Sequence, residues 1–332
     1  MAMNKRVLLK SRPKGWVTEA DFQIDEAPIP QPGDGQVLVR NHWLSLDPYM
    51  RGRMNDTKSY AAKAELGEVM VGGTVGEVLE SRDPSLKPGD FVVGSLGWQQ
   101  YGTASAKTFR RIDTKAAPAQ AYLGVVGMPG VTAWVGLLTI GEPKPGETVV
   151  VSAASGAVGS VVGQIAKLKG ARAVGVAGGP EKCRYVVDEL KFDACVDYKS
   201  PDFVKSLEAA TPKGVDVYFE NVGGEVLDAV SRRFNAFARM PLCGLISQYN
   251  ETNPMGLRHL HAFLTNRVKL QGFIVSDKLE LWPPALKDLA EWVSSGKIKY
   301  RESIAHGLDN APKAFIGLLK GENFGKQLVK LA

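Results

Sequence analysis

Apolar residues follow two rhythms along this chain. Up to about residue 120, short apolar runs alternate with turn signals. Gln36-Val37-Leu38-Val39-Arg40 follows a Pro/Gly-rich stretch from Pro28 to Gly35. Val69 to Val78 reads as a strand bent at its glycines. Leu86-Lys87-Pro88-Gly89-Asp90 is a Pro-Gly turn leading into Phe91-Val92-Val93. These patterns predict a β-rich domain. From about residue 122 the spacing turns helical, with strands predicted near 149, 174, 195, 217, 241 and 272 and helices between them. Strand and helix in alternation predict a parallel, doubly wound sheet. The end of the chain differs again: an apolar stretch from Ile298 to Ala305, a helix from Ala311 to Lys320, and a strand from Lys326 to Val329. The expected division is a β-rich domain over 1–122, completed by 298–332, and a doubly wound domain over 123–297.

The most informative local pattern runs from Val149 to Gly170. A β-branched run feeds the small-residue turn Ala153-Ala154-Ser155-Gly156-Ala157-Val158-Gly159. A helix follows, with apolar Val158, Val161, Val162, Ile165 and Leu168 at a 3.6-residue period. Gly170 stands where a helix C-cap glycine belongs, and Ala173 to Val176 supplies the next strand. Such a turn can hold a dinucleotide pyrophosphate, because small residues let the backbone approach the phosphates. The helix N-terminus adds N–H donors and partial positive charge. Ala154 occupies the first place of the usual Gly-x-Gly-x-x-Gly spacing, and Gly156 and Gly159 the others. The same residues could form a tight turn with no ligand; the surrounding βαβ unit favours the cofactor.

The tip of the second strand selects the dinucleotide. An NAD site usually carries an acid there for the ribose 2′-hydroxyl. Here it reads Ala177-Gly178-Gly179-Pro180, followed by Glu181, Lys182 and Arg184. A neutral tip beside a cation suits a 2′-phosphate and predicts NADPH/NADP+. Glu181 would oppose that reading if it pointed inward.

Composition narrows the classes. At 332 residues with 44% hydrophobic content, two globular domains are expected. A net charge of +6 is modest, and Arg110-Arg111 and Arg232-Arg233 are pairs rather than tracts, so no nucleic-acid partner is expected. The three cysteines, Cys183, Cys195 and Cys243, match no disulfide or metal framework. A reducing, cytoplasmic setting follows as an expectation. No apolar run reaches transmembrane length, and the apolar run near the N-terminus is too short for a signal peptide, so no membrane partner is expected. His42, His259, His261 and His306 have no cysteine nearby in sequence and offer no zinc set. No Gly-x-Ser-x-Gly elbow occurs.

With these residues in view, the chain resembles the zinc-independent medium-chain dehydrogenase/reductases, in the double-bond reductase branch that includes prostaglandin, alkenal and bacterial curcumin reductases. The resemblance spans nearly the whole chain. It rests on Leu46-Asp47-Pro48-Tyr49-Met50-Arg51, Gly127-Met128-Pro129-Gly130-Val131-Thr132-Ala133, the glycine loop, Glu220-Asn221-Val222-Gly223-Gly224, Cys243 to Asn250, and Asn323-Phe324-Gly325-Lys326. It implies an α/β protein with a GroES-like β-barrel catalytic domain and a Rossmann cofactor domain. The family's loop residues map to Gly156, Ala157, Val158 and Gly159. Its 2′-phosphate contacts map to Lys182 and Tyr198, and its nicotinamide-side contacts to Asn221, Cys243, Tyr249, Phe273, Val275 and Asn323. It implies a homodimer paired through the strand around Leu270 to Val275. Where zinc-dependent relatives carry Gly-His-Glu, this chain reads Leu66-Gly67-Glu68-Val69.

The expected reaction is NADPH-dependent reduction of the carbon–carbon double bond of an enone or enal. Tyr249 is the candidate donor to the carbonyl oxygen, the alternative being a tyrosine that only packs in a loop. Tyr49 and Arg51 are candidates for the substrate entrance, or else a packing aromatic and a structural cation. Met128 and Trp98 could line an apolar pocket or serve a core. Cys243 reads as a small packing residue rather than a nucleophile. The stretch Asn250 to Asn266 reads as a variable lid. Quinone reduction is the alternative activity, and a non-catalytic NADPH-binding protein the alternative from another class.

Overall fold

The computed structural model describes residues 3–331. They form two compact units, one from the chain up to Leu123 together with the stretch from Glu302 onward, the other spanning Gly124–Arg301.

The strands of the chain, in order, begin with β1 (Met3–Leu9), β2 (Phe22–Pro28), β3 (Gln36–Ser45), β4 (Thr74–Ser81) and β5 (Phe91–Gly94). Next come β6 (Tyr101–Ser105), β7 (Arg110–Arg111), β8 (Thr148–Ser152), β9 (Arg172–Ala177) and β10 (Ala194–Asp197). The last are β11 (Val215–Phe219), β12 (Phe234–Leu242), β13 (Lys269–Gly272), β14 (Glu302–His306) and β15 (Lys326–Lys330).

In the first unit, β1 and β2 form an antiparallel ribbon, and a seven-stranded sheet runs β14-β15-β3-β4-β5-β7 with β6 also on β3. β3 is the hub: β4 lines it from Val37 to Leu44, β6 pairs Gln36 to Arg40, and β15 pairs Trp43 to Ser45. Its alternating apolar residues bury Val37 and Val39 among Val78, Leu86, Val92, Leu96 and Ala106. The predicted strand Val69 to Val78 is regular only from Thr74. Before that the backbone is squeezed, since a Cβ on Gly72 would stand 2.9 Å from Leu44 and 3.0 Å from Trp98. Trp98 is fully buried, stacked on Phe22 and edge-on to Phe315. It serves the core, the second of the two roles open to it from the sequence.

In the second unit the sheet order is β10-β9-β8-β11-β12-β13, and every pairing is parallel. Numbered within the sheet this is 3-2-1-4-5-6, the doubly wound dinucleotide-binding order. The central strands are buried on both faces, which explains their unbroken runs such as Val149-Val150-Val151. The helix Gly159–Leu168 buries Val161, Val162 and Ile165 of its apolar stripe, leaves Leu168 exposed, and ends in a Schellman motif. There Gly170, at φ +78°, donates to the Lys167 carbonyl, and Ala171 donates to that of Ala166. The stretch 298–301 stays with this unit rather than with the β-rich one. Gln164 and Lys299 exchange two hydrogen bonds of 2.8 Å, and Arg301 lies over the Tyr185 ring.

Candidate functional site

In an open α/β sheet, ligands bind outside the carboxyl ends of the strands, at the point where strand order reverses. Here that point lies between β8 and β11. The residues that follow each strand end fall along the sheet in a definite order: Tyr198 after β10, Lys182 after β9, the glycine loop after β8, Asn221 after β11, Cys243 and Tyr249 after β12, Phe273 and Val275 after β13. Topology thus brings these candidate residues to one edge of one sheet.

The glycine loop is tight because its backbone folds onto itself. Ala153 sits at φ +51°, and its carbonyl accepts the Gly156 N–H at 2.8 Å. A Cβ on Gly159 would stand 2.3 Å from that same carbonyl oxygen, so no other residue fits there. Val158, the cap position of the following helix, offers no side-chain cap. The Ser160 N–H donates to the Gly156 carbonyl at 3.1 Å and the Val161 N–H to that of Val158 at 3.0 Å, so the turn runs straight into the helix, whose positive dipole end suits an anion.

At the tips of β9 and β10 one oxygen of the Asp197 carboxylate is tied to the backbone. Asp197 accepts the backbone N–H groups of Gly179 at 2.8 Å and Lys199 at 2.9 Å. Glu181 is exposed. Lys182 is half-buried, and burial together with the neighbouring Lys199 charge lowers its pKa. Tyr198 is partly exposed, and its ring passes so close to Gly178 that a Cβ there would be 2.9 Å away. The two lysine charges near the end of β9 suit a phosphate monoester better than a ribose hydroxyl pair, with Glu181 as the one opposing charge acting on Lys182.

Sequence reasoning missed the buried network behind Asn221. Ser152 ends β8 and is fully buried; its hydroxyl accepts the Asn221 N–H, and its carbonyl accepts the Asn221 side-chain amide, both at 2.8 Å. Glu220 is also fully buried. Its Oε1 accepts from Gly223 at 2.6 Å, from Val222 and from Ser152, while Oε2 has no partner within hydrogen-bond distance. Burial pushes the Glu220 carboxyl above its usual range. The Glu220 carbonyl accepts the N–H groups of Cys243 and Gly244, at 2.9 and 3.1 Å. Burial raises the Cys243 thiol to about 12, so it is protonated and no nucleophile. A polar residue directly after each apolar strand run was the available signal for Ser152 and Glu220.

Tyr249 follows a single turn, Ile246–Gln248, just past β12. Its hydroxyl oxygen accepts the Leu245 N–H at 3.2 Å and would lie 3.0 Å from a Cβ on Gly244. A phenol oxygen can accept one hydrogen bond and also donate one. Phe273 is half-buried, edge-on to Phe219, and its ring tip would lie 2.5 Å from a Cβ on Gly136. The Val275 carbonyl accepts the Trp282 indole N–H at 3.1 Å. In the Asn250 to Asn266 stretch, Phe263 packs edge-on against Phe234, while Leu260 and Leu264 are exposed.

Tyr49, Arg51 and Asn323 belong to the other unit. Lys326 is buried and donates to the Leu46 carbonyl at 2.6 Å and to the Asp47 carboxylate at 2.7 Å. That tie holds the segment entering the short helix Tyr49–Arg53. Tyr49 is half-buried, and burial with the adjacent Asp47 charge raises its pKa. Arg51 is only 3% exposed; its guanidinium donates to Asn55 at 2.6 Å and to the Gly15 carbonyl at 2.8 Å. The Asn323 amide donates to the Gly325 carbonyl at 2.8 Å.

Comparison with known proteins agrees with this geometry. Residues 5–112 match a family described as the N-terminal domain of oxidoreductase, and residues 157–293 one described as zinc-binding dehydrogenase. Among the described residues, no group of three or more His, Cys, Asp and Glu side chains could hold a metal ion. The NADPH-dependent curcumin reductase of Escherichia coli (strain K12) is 50% identical over 99% of this chain and 97% of that protein. The 2-alkenal reductase (NADP(+)-dependent) of Nicotiana tabacum is 42% identical over 99% and 98%. The crystal structure of CurA in complex with NADPH from Vibrio vulnificus superposes with a TM-score of 0.95 at 48% identity, covering 99% of both chains. The expected fold, a GroES-like domain joined to a Rossmann domain, is thereby established. By sequence and by fold, the chain belongs to the medium-chain dehydrogenase/reductases, in their zinc-independent double-bond reductase branch.

Proposed function

We propose that this chain reduces the carbon–carbon double bond of α,β-unsaturated ketones and aldehydes with NADPH. The observation that carries the reading is Tyr249, a phenol placed just past the end of β12 with its oxygen already accepting the Leu245 N–H. Identity of 50% to a curcumin reductase and 42% to an alkenal reductase supports the substrate class.

The residues present fit the cofactor. Gly156, Ala157, Val158 and Gly159 would receive the pyrophosphate, Lys182 and Tyr198 the 2′-phosphate, and Asn221, Cys243, Tyr249, Phe273 and Val275 the nicotinamide side. When bound, NADPH supplies a hydride for the β-carbon of the substrate. Tyr249 donates its proton as a hydrogen bond to the carbonyl oxygen, where negative charge develops as the enolate forms. The tyrosine suits this task because a phenol, with an ordinary pKa of about 10, stays protonated at neutral pH. Protonation at the α-carbon is assigned to water. Ser152 and Glu220 hold Asn221 and the turn before Cys243 in place. Tyr49 is assigned to the substrate entrance in this reading, and Arg51 anchors the helix that carries it through Asn55 and Gly15.

Two further assignments belong to the same reading. β13 is exposed along its length and pairs only with β12 among the described strands, so a second copy adding at this edge would form the homodimer. The three cysteines are free thiols, which supports a cytoplasmic setting. Among the described residues, no helix is long and apolar enough to cross a membrane.

The test is NADPH consumption, followed optically, with a linear 2-alkenal, an aryl enone, a simple quinone and a saturated ketone. Turnover of the two unsaturated carbonyls, with saturated carbonyl products, supports the reading. Consumption with the quinone alone moves the activity to quinone reduction.

A further inference from the structure

Cys183 and Cys195 place their sulfurs 3.1 Å apart. Both are free and both are partly exposed. They come from different elements: Cys183 from the short helix Pro180–Arg184 that follows β9, Cys195 from the middle of β10. A disulfide has an S–S length of about 2.05 Å, so closing this pair takes side-chain movement of only about 1 Å. The two sulfurs are also unequal. The Cys195 thiol and the Ala177 N–H both direct hydrogens at the Cys183 sulfur, which lowers its pKa despite burial. The same contact, with burial, keeps Cys195 protonated. One thiolate-prone sulfur touching one thiol is the arrangement dithiol redox chemistry requires. Cys243 is buried and protonated and takes no part.

We propose that Cys183 and Cys195 form a reversible disulfide when the protein meets a hydroperoxide, and that the bond weakens NADPH binding. The Cys183 thiolate attacks the peroxide; the O–O bond breaks, and Cys183 becomes a sulfenic acid as hydroxide leaves. The Cys195 sulfur then attacks the Cys183 sulfur. The S–S bond forms, the S–O bond breaks, and the departing hydroxide leaves as water with the Cys195 proton. For hydrogen peroxide the sum is two thiols oxidised by two electrons, one peroxide reduced, one disulfide and two waters. A dithiol reverses it by exchange.

The link to the cofactor follows from chain position. Lys182 directly precedes Cys183, and Tyr198 lies three residues past Cys195. A bond between the sulfurs ties the helix carrying Lys182 to the strand leading to Tyr198 and fixes their spacing. This coupling rests on the NADPH reading above; the disulfide itself does not.

The experiment treats the reduced full-length chain with hydrogen peroxide. It then counts thiols, maps cross-linked peptides by mass spectrometry without reductant, and titrates NADPH before and after dithiothreitol. Two of the three thiols should disappear, one peptide should join Cys183 to Cys195, and the Kd for NADPH should rise about tenfold and recover on reduction. Cys183→Ser should bind NADPH like the reduced chain and show neither cross-link nor loss. Cys195→Ser should stop at a sulfenic acid that dimedone captures. Oxidation of Cys183 to the sulfinic acid without a cross-link overturns the disulfide. A cross-link that leaves the Kd within about twofold overturns the coupling. A reduced chain that does not bind NADPH overturns the cofactor reading and the coupling together, while the cross-link still decides the disulfide.

Discussion

At the scale of single residues, the proposed reaction gives Tyr249 and Lys182 different parts of the chemistry, so their loss should show in different constants. Tyr249→Phe removes one proton donor and keeps the ring. By comparison with lost oxyanion donors, kcat should fall by about 10²–10³ while the KM for NADPH stays near its original value. A variant with full turnover would reduce Tyr249 to a packing role. Lys182→Met keeps most of the apolar stem and removes the ammonium. A hydrogen bond to a charged group contributes about 1.5–3 kcal/mol, so the KM for NADPH should rise by about tenfold or more. Kinetics with NADH, which lacks the 2′-phosphate, should barely change. An equal loss with both cofactors would place Lys182 in the fold of the loop instead. Glu181, which could have opposed a phosphate, is exposed at the surface.

At the scale of elements, the ends of β8 and β11 are joined by a buried carboxyl whose protonation matters to stability. The folded state raises the Glu220 pKa above its ordinary 4.5, so it holds the proton more tightly than the unfolded chain. The stability this brings is present below the unfolded pKa and is lost as pH rises through the folded one. Glu220→Gln keeps the acceptor oxygen and cannot ionise. As pH rises above the ordinary 4.5, its Tm should therefore fall less than that of the parent. Parallel slopes for the two proteins would show that Glu220 does not titrate differently on folding. Elements were legible wherever periodicity was strong. The runs at Val149 to Val151 and Ala173 to Val176 announced β8 and β9, and the stripe from Val158 to Leu168 announced the helix between them. β1 and β2 went unrecognised, because they pair with each other across the connection from Lys10 to Asp21, which is too long to carry the tight-turn signal of a hairpin. The roles of Ser152, Glu220, Asp197 and Lys326 were not legible for a different reason. Their roles arise from burial and from backbone groups that only the folded chain brings near.

At the scale of the whole molecule, sheet topology converts scattered motifs into one ordered edge. From Tyr198 through the glycine loop to Val275, the candidate residues follow the strand order and match the order of groups along a dinucleotide, from its phosphate monoester to its nicotinamide. The same sheet leaves β13 as an edge, with Leu270 40% exposed. In the proposed homodimer, Leu270→Glu would set like charges near one another across the paired edges. The variant should run as a monomer in light scattering where the parent runs as a dimer. A parent that is already monomeric would remove the dimer from the reading.

The most direct test of the central claim follows the hydride. NADPH deuterated at its transferable hydrogen would be turned over with an aryl enone and the product examined by NMR. The expected product is the saturated ketone, with deuterium on the carbon β to the carbonyl. Deuterium on the carbonyl carbon, in an unsaturated alcohol, would show carbonyl reduction and contradict the account.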